Sequence, residues 1–405
     1  MASVPTSNDG DRIRLTVNDD VPVRLAPLNE FILKMNSRCN LACDYCYVYS
    51  MGDDSWRQQP ALMSDEVVAR TADRIAEHAR VHNLPLVHVI FHGGEPLLGG
   101  AKRLVDVTRI VRSAVPSRTK LTFTVQTNGT LLDTETLGLL LEQNIGVGVS
   151  LDGGSAEHNR HRVQHSGAAS YPQVKQALRR LAEPPYSRIF RGILCTVDLE
   201  NDPVGVYESL VELTPSRLDF LLPHANWSRP PPLPANPGNP TPYATWLIEV
   251  FERWYGARTP QPQVRLFESI IRAGLGYPRP SEQVGLAPLS MVVVESNGSI
   301  ERVDALKSAY PGAAATGLNV FDHDFDRALQ DPGIAARQQG LAALSATCRS
   351  CAIVTTCGGG NYAHRYRRGH GFANPSVYCA DLMALITHIE SRVNHSIERA
   401  VGSAG

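Results

Sequence analysis

Eight cysteines fall in two tight groups and one singleton along 405 residues. Cys39, Cys43 and Cys46 form C-x3-C-x2-C; Cys348, Cys351 and Cys357 form C-x2-C-x5-C with Cys379 further on; Cys195 stands alone. Thiols clustered at short fixed intervals are how a chain prepares metal ligands. A cubane 4Fe–4S cluster takes one thiolate per iron, so the first triplet would leave one iron open to another ligand. Zinc would need a fourth donor close by, and none follows Cys46 at knuckle spacing. The second group supplies four thiolates, which close either a zinc site or a fully ligated 4Fe–4S cluster; spacing does not separate the two. Cys195 sits in the apolar run Ile189 to Val197 and reads as a buried structural thiol.

Further residues of chemical interest recur just after β-rich runs. His92-Gly93-Gly94-Glu95-Pro96 follows Val87 to Phe91, Gln126-Thr127-Asn128-Gly129-Thr130 ends Leu121 to Val125, and Val149-Ser150-Leu151-Asp152-Gly153 ends a fourth run. Alone, Gly-Gly-Glu-Pro is an ordinary turn, and Ser150 and Asp152 are ordinary loop-capping residues. With the triplet after the first run and Tyr45 just before its last cysteine, the front half resembles the radical S-adenosylmethionine (SAM) superfamily. That resemblance implies a 4Fe–4S cluster on Cys39, Cys43 and Cys46 whose open iron chelates SAM and generates a 5'-deoxyadenosyl radical, chemistry that belongs to the cofactor. It further implies that Tyr45, Gly93, Gly94, Glu95 and Asn128 surround SAM. Glu95 would accept from its ammonium, Ser150 would reach the ribose, and Arg162 the carboxylate, with Arg160 the competing arginine.

The second cysteine group resembles the SPASM extension of peptide-modifying radical SAM enzymes, which implies an auxiliary cluster on Cys348, Cys351, Cys357 and Cys379. A full extension has seven cysteines; here Val303 and Asn361 stand where cysteines would, so one auxiliary 4Fe–4S cluster is expected. The wording Cys357-Gly358-Gly359-Gly360-Asn361 through Cys379, with Leu222 to Trp227, is similar to the FxsB-type branch. That branch implies a ribosomal precursor peptide in which an aromatic ring is joined to a β-carbon, forming a cyclophane. Loss of the ring proton needs a base, for which Asp304 is the candidate because sulfatase-maturing relatives place a catalytic aspartate there. A solvated or helix-capping Asp is the alternative. His224 and Trp227 are candidates for lining the peptide channel. The competing functions are a formylglycine-generating or thioether-forming maturase and, in another class, a non-catalytic peptide-binding barrel. The intact triplet and Gly93-Gly94-Glu95 argue against the last. An electron donor such as flavodoxin or ferredoxin is the other implied partner.

The elements that must position these residues are legible in the periodicity. Six β-rich runs between Phe31 and Leu222 alternate with amphipathic segments such as Ser64 to His82, Lys102 to Ala114 and Tyr171 to Leu181. They predict repeated βα units, an α/β fold built on a partial (β/α)6 barrel with a C-terminal SPASM-like iron–sulfur domain, and functional groups at the C-terminal strand ends. The expected division is an N-terminal extension (1–30), the barrel (31–227), a proline-rich linker with helical bridge (228–284) and the auxiliary-cluster domain (285–405). Helices are expected near Tyr243 to Tyr255 and Val264 to Ala273, a hairpin turning at Asn297-Gly298, and a last helix near Asp381 to Asn394. About 30 residues before Phe31 are too few for a separate leader-binding domain. A formal net charge of -1 argues against a nucleic-acid partner, no apolar run has the length of a membrane span, and reduced, clustered thiols suit the cytoplasm.

Overall fold

The computed structural model describes residues 25–233, 238–278 and 280–402. Most of the expected extension 1–30 lies outside the described residues.

Strands and helices alternate as the periodicity predicts: β1 Glu30–Asn36, α1 Asp65–Val81, β2 Leu86–Gly93, α2 Ala101–Ala114, β3 Lys120–Thr127, α3 Thr134–Glu142, β4 Ile145–Ser150, α4 Tyr171–Ala182, β5 Phe190–Thr196, α5 Pro203–Val211 and β6 Arg217–Leu221. Local chemistry explains the helix starts. The Ser64, Asp133 and Asp202 side chains each accept a backbone N–H of the following first turn, capping α1, α3 and α5. Helix α1 buries Val68, Ala72, Ile75 and Ala79 on one face, which lays it against the sheet. β1 to β6 pair in parallel in sequence order, so each connection must cross over by a helix and every strand points its C-terminal end the same way.

The sheet continues past these six strands. A short β7 (Gln263–Val264) adds to β6, between the helices α6 (Pro242–Tyr255) and α7 (Arg265–Gly274). On the opposite edge β8 (Met291–Val294) pairs in parallel with β1, followed by antiparallel β9 (Ser299–Glu301) and β10 (Ala315–Asn319), giving the order β10-β9-β8-β1-β2-β3-β4-β5-β6-β7. The expected hairpin is therefore present, turning at Asn297-Gly298, and it extends the barrel sheet. One hydrophobic core runs from β1 and β2 residues such as Phe31 and Phe91 through Val292, Val294 and Ile300 to Leu385 and Ile389. The last helix spans Cys379–Gly402, longer than the Asp381 to Asn394 expected, and packs on α6 and α7. No helix among the described residues is long and apolar enough to cross a membrane.

Candidate functional site

The parallel sheet brings the loops after β1, β2, β3 and β4 to one end, and backbone bonds lock the first two together. Gly94 N–H donates to the Asn36 carbonyl at 2.7 Å, and Glu95 N–H to the Arg38 carbonyl at 2.9 Å. Glu95 is fully buried. Its Oε1 accepts from Leu97 N–H (3.0 Å) and the Thr127 hydroxyl (2.7 Å), and its Oε2 from Asn128 N–H (2.8 Å). Three of about four lone-pair directions are thus occupied by the protein, leaving one for the ammonium expected there. Burial pushes this carboxyl up, and the same three donors pull against that rise. Asn128 is likewise engaged: its Nδ2 donates to Asn40 Oδ1 at 2.8 Å and lies 3.8 Å from Cys39 Sγ.

The residues present fit an iron–sulfur cluster at the first triplet. Cys39 Sγ accepts from Leu41 N–H at 3.4 Å, and the Cys46 thiol faces the backbone N–H groups of Val48 and Tyr49. Such donors suit a thiolate. Burial pushes Cys39 up to about 11, with Glu95 and Cys46 adding to the rise, and Cys43 up to about 12, with Cys46 and Cys39 adding to it, so these groups become thiolates only against a cation such as a metal supplies. Tyr45 and Arg162 join this loop to the fourth strand end. Arg162 Nη1 donates to the Tyr45 hydroxyl at 2.8 Å, which donates to Asp152 Oδ2 at 2.5 Å. Burial works against the Arg162 charge, and Tyr45, Asp152 and Cys43 hold it in place. Arg160 instead pairs with Asp198 and Asn201, so Arg162 is the arginine beside the triplet. Ser150 Oγ accepts from Gln126 Nε2 at 2.9 Å. Tyr45, Asp152, Thr196 and His224 line one cavity of about 460 Å3.

Cys348, Cys351, Cys357 and Cys379 all line a second, apolar cavity of about 120 Å3, together with Ile353, Val354 and Leu382. The loop beside it is shaped by Arg365, whose guanidinium donates to the Gly358, Gly359 and Gly360 carbonyls. The four thiols thus share the lining of one cavity. Val303 lies instead among Leu306, Ala313, Ala314 and Ala363 in a small apolar cluster, and Asn361 Oδ1 accepts from Ala363 N–H as a turn cap. Neither place brings a further thiol. Iron analysis after anaerobic reconstitution should therefore give about eight irons per chain; about four or about twelve would contradict one cubane at each cysteine group.

Asp304 is neither solvated nor a helix cap. It is buried, opens the 3₁₀ turn Asp304–Ser308, and lines a cavity of about 380 Å3 with Tyr47, His92, His224 and His364. Its Oδ2 accepts from Lys34 Nζ at 2.6 Å and lies 3.7 Å from His92 Nδ1, while Oδ1 has no partner. Burial alone would raise this carboxyl, but Lys34, Lys307 and His92 outweigh it and hold it down to about 2. Tyr47, adjacent to Cys46, meets His224 edge-on at 4.7 Å, and His224 meets His364 at 5.8 Å. Trp227 lies 44% exposed outside this wall, its indole N–H on the Pro375 carbonyl. The sequence reading missed Lys34 and Lys307; the available signal was a lysine inside the apolar run Phe31 to Met35.

The Radical SAM superfamily profile matches residues 33–194, from β1 through β5. The cysteine-type anaerobic sulfatase-maturating enzyme of Clostridium perfringens is 27% identical over 293 residues, covering 69% of this chain and 75% of its own length. Among solved structures, native anSMEcpe with bound AdoMet matches with a TM-score of 0.74 at 23% identity, over 91% of this chain and 98% of that one. Streptococcus suis SuiB bound to precursor peptide SuiA matches with a TM-score of 0.57 at 16% identity, over 87% and 76%. The α/β fold is common to this chain and these structures.

Proposed function

We propose that this chain, by fold and cysteine triplet a radical SAM oxidoreductase, oxidises a side chain of a peptide or protein held in the Asp304 cavity, a reading supported by its similarity to sulfatase-maturating enzymes. The observation that carries the reading is a buried, ionised carboxylate with one free oxygen, in a cavity whose wall includes Tyr47 next to Cys46. When bound, the cluster–SAM centre and the auxiliary cluster supply a radical that removes one hydrogen atom and an acceptor for the electron left behind. This chain's residues do the rest. Cys39, Cys43 and Cys46 hold the first group, and Glu95, Asn128, Ser150 and Arg162 frame SAM. Cys348, Cys351, Cys357 and Cys379 hold the second. Tyr47, His224 and His364 wall the substrate side chain away from water, and Asp304 Oδ1 accepts the proton. Together these remove two hydrogens from the substrate.

A second reading, the carbon–carbon cyclophane in a ribosomal peptide, is favoured by Val303 and Asn361, where this chain departs from a seven-cysteine extension. The product distinguishes the two. Candidate peptides incubated anaerobically with enzyme, SAM and reductant are analysed by mass spectrometry before and after a carbonyl-trapping reagent. A trappable aldehyde is the expected product of the first reading, formed directly from a serine hydroxyl or, from a cysteine thiol, once water hydrolyses the thioaldehyde and releases hydrogen sulfide. Loss of two hydrogens with no carbonyl and an internal link in the fragment spectrum supports the cyclophane. No 5'-deoxyadenosine at all would leave a peptide-binding barrel and defeat both.

A further inference from the structure

Asp304 belongs to a cluster of buried charge whose other members have no role in binding and turnover as described above. Lys34 from β1, Glu295 after β8, Glu301 from β9, and Asp304 and Lys307 from the 3₁₀ turn are each 7% exposed or less. Carboxylate oxygens of Glu295, Glu301 and Asp304 all lie within 4.8 Å of one another. Lys307 Nζ reaches Glu295 Oε1 at 2.5 Å and Glu301 Oε2 at 3.0 Å, while Lys34 Nζ holds Asp304. Among the described residues, the other titratable groups facing the cluster are His92 from β2, Cys46, Tyr47, Tyr49 and Asp53 from the segment after β1, and His224 after β6. Arg302, next to Glu301, turns away to Asp331.

Three carboxyls face two ammonium groups. Fully ionised, the cluster would bury a net negative charge, which the interior strongly disfavours; a single proton removes it. Asp304 is clamped by Lys34 and Glu295 by Lys307. Glu301 Oε2 lies 3.0 Å from Lys307 Nζ, the longer of that lysine's two carboxylate contacts. His92 is held neutral, burial and Lys34 bringing it down to about 4. We propose that Glu301 is a positioning residue that carries the cluster's exchangeable proton and, by releasing it, makes Asp304 a stronger base. This rests on the reading of Asp304 as proton acceptor. While Glu301 is neutral, Asp304 faces two cations and is a weak base. Once Glu301 ionises, a new negative charge stands within 4.8 Å, and the affinity of Asp304 for the substrate proton rises. Burial, reinforced by Glu295 and Asp304 against the pull of Lys307, pushes Glu301 up to about 8, which puts the change within an accessible range.

The test uses reconstituted holoenzyme between about pH 5 and 9.5 and compares wild type, Glu301→Gln and Asp304→Asn. Wild type should give severalfold more modified peptide per 5'-deoxyadenosine as pH rises through about 8. Glu301→Gln, fixed in the neutral form, should stay flat at the wild-type acid-side value. A second readout needs no turnover. A carboxyl whose folded-state value is raised gives stability that is lost as pH climbs from its ordinary 4.5 to about 8, so wild type should melt progressively lower than Glu301→Gln across that window. An infrared band of a protonated carboxyl that wild type shows and Glu301→Gln lacks, lost with a midpoint near the same pH, assigns the proton to Glu301. A variant that keeps the pH rise, a melting gap independent of pH, or no protonated-carboxyl band at neutral pH would each overturn the proposal. If Asp304→Asn still modifies peptide normally, the base assignment itself has failed. If it is inactive while Glu301→Gln keeps the wild-type profile, only the role of Glu301 has failed.

Discussion

Gly94→Ala should cut SAM cleavage by about 10²-fold or more, the penalty expected when reacting groups move by about an ångström. A Cβ at Gly94 would lie 1.9 Å from the Tyr49 hydroxyl and 2.3 Å from the Arg38 carbonyl oxygen. The tyrosine can swing aside; the carbonyl is backbone, and it belongs to the residue before Cys39. That same carbonyl accepts from Glu95 N–H, so relief of the clash must break a bond that holds the triplet's loop to β2. Cys39 would then shift relative to Cys43 and Cys46. Gly138→Ala is the control: it sits in α3 with nothing within 4 Å of its new Cβ, and a helical Gly→Ala change stabilises by about 0.5–1 kcal/mol. The measurements are 5'-deoxyadenosine formation and visible cluster absorbance after reconstitution. Wild-type cleavage by Gly94→Ala would mean that the two loops are not coupled as the backbone bonds indicate.

What was legible in the sequence follows from how local each signal is. The six barrel strands and their helices appeared as periodicity because each buries one face against one layer; β2, for instance, alternates buried with exposed or half-buried side chains along its length. The cysteine triplet was legible because its ligands are neighbours in the chain. The pairing of β8 with β1 was not: a hairpin pattern fixes its own turn but says nothing about which distant sheet edge will accept it. The surroundings of Asp304 were hidden for the same reason. Its ion-pair partner Lys34 is 270 positions away, and β1 sets that lysine opposite His92, so the group that controls the carboxylate comes from the far end of the chain. Glu95 was legible as a functional motif, but its bonds to Thr127 and Asn128 show that it also clasps the loops after β2 and β3.

Asp304→Asn should leave SAM cleavage near wild type and lower modified peptide by about 10²- to 10⁴-fold, the usual contribution of a positioned general base. The amide keeps the shape of the carboxylate and can still accept from Lys34 Nζ, but it cannot take a proton at neutral pH. The complication is stability. Removing one partner of a buried ion pair leaves the other charge uncompensated, at a cost of about 3–5 kcal/mol. Asp304 is held below its ordinary 3.8 by Lys34, Lys307 and His92 despite burial, so its stabilising contribution is present above that value and lost as pH falls towards about 2. The variant lacks this contribution at neutral pH and should melt lower than wild type, with the difference shrinking on acidification. Unfolding and lost basicity nevertheless leave different traces. Unfolding removes 5'-deoxyadenosine and modified peptide together, since Lys34 lies on the strand that leads into Cys39. Lost basicity separates them, because hydrogen-atom removal precedes proton transfer. Below the melting transition, 5'-deoxyadenosine formed without product therefore assigns the proton step to Asp304. A parallel loss of both would reduce Asp304 to a structural partner of Lys34, and wild-type product would move the base elsewhere in the cavity, with His224 and His364 the next groups to replace.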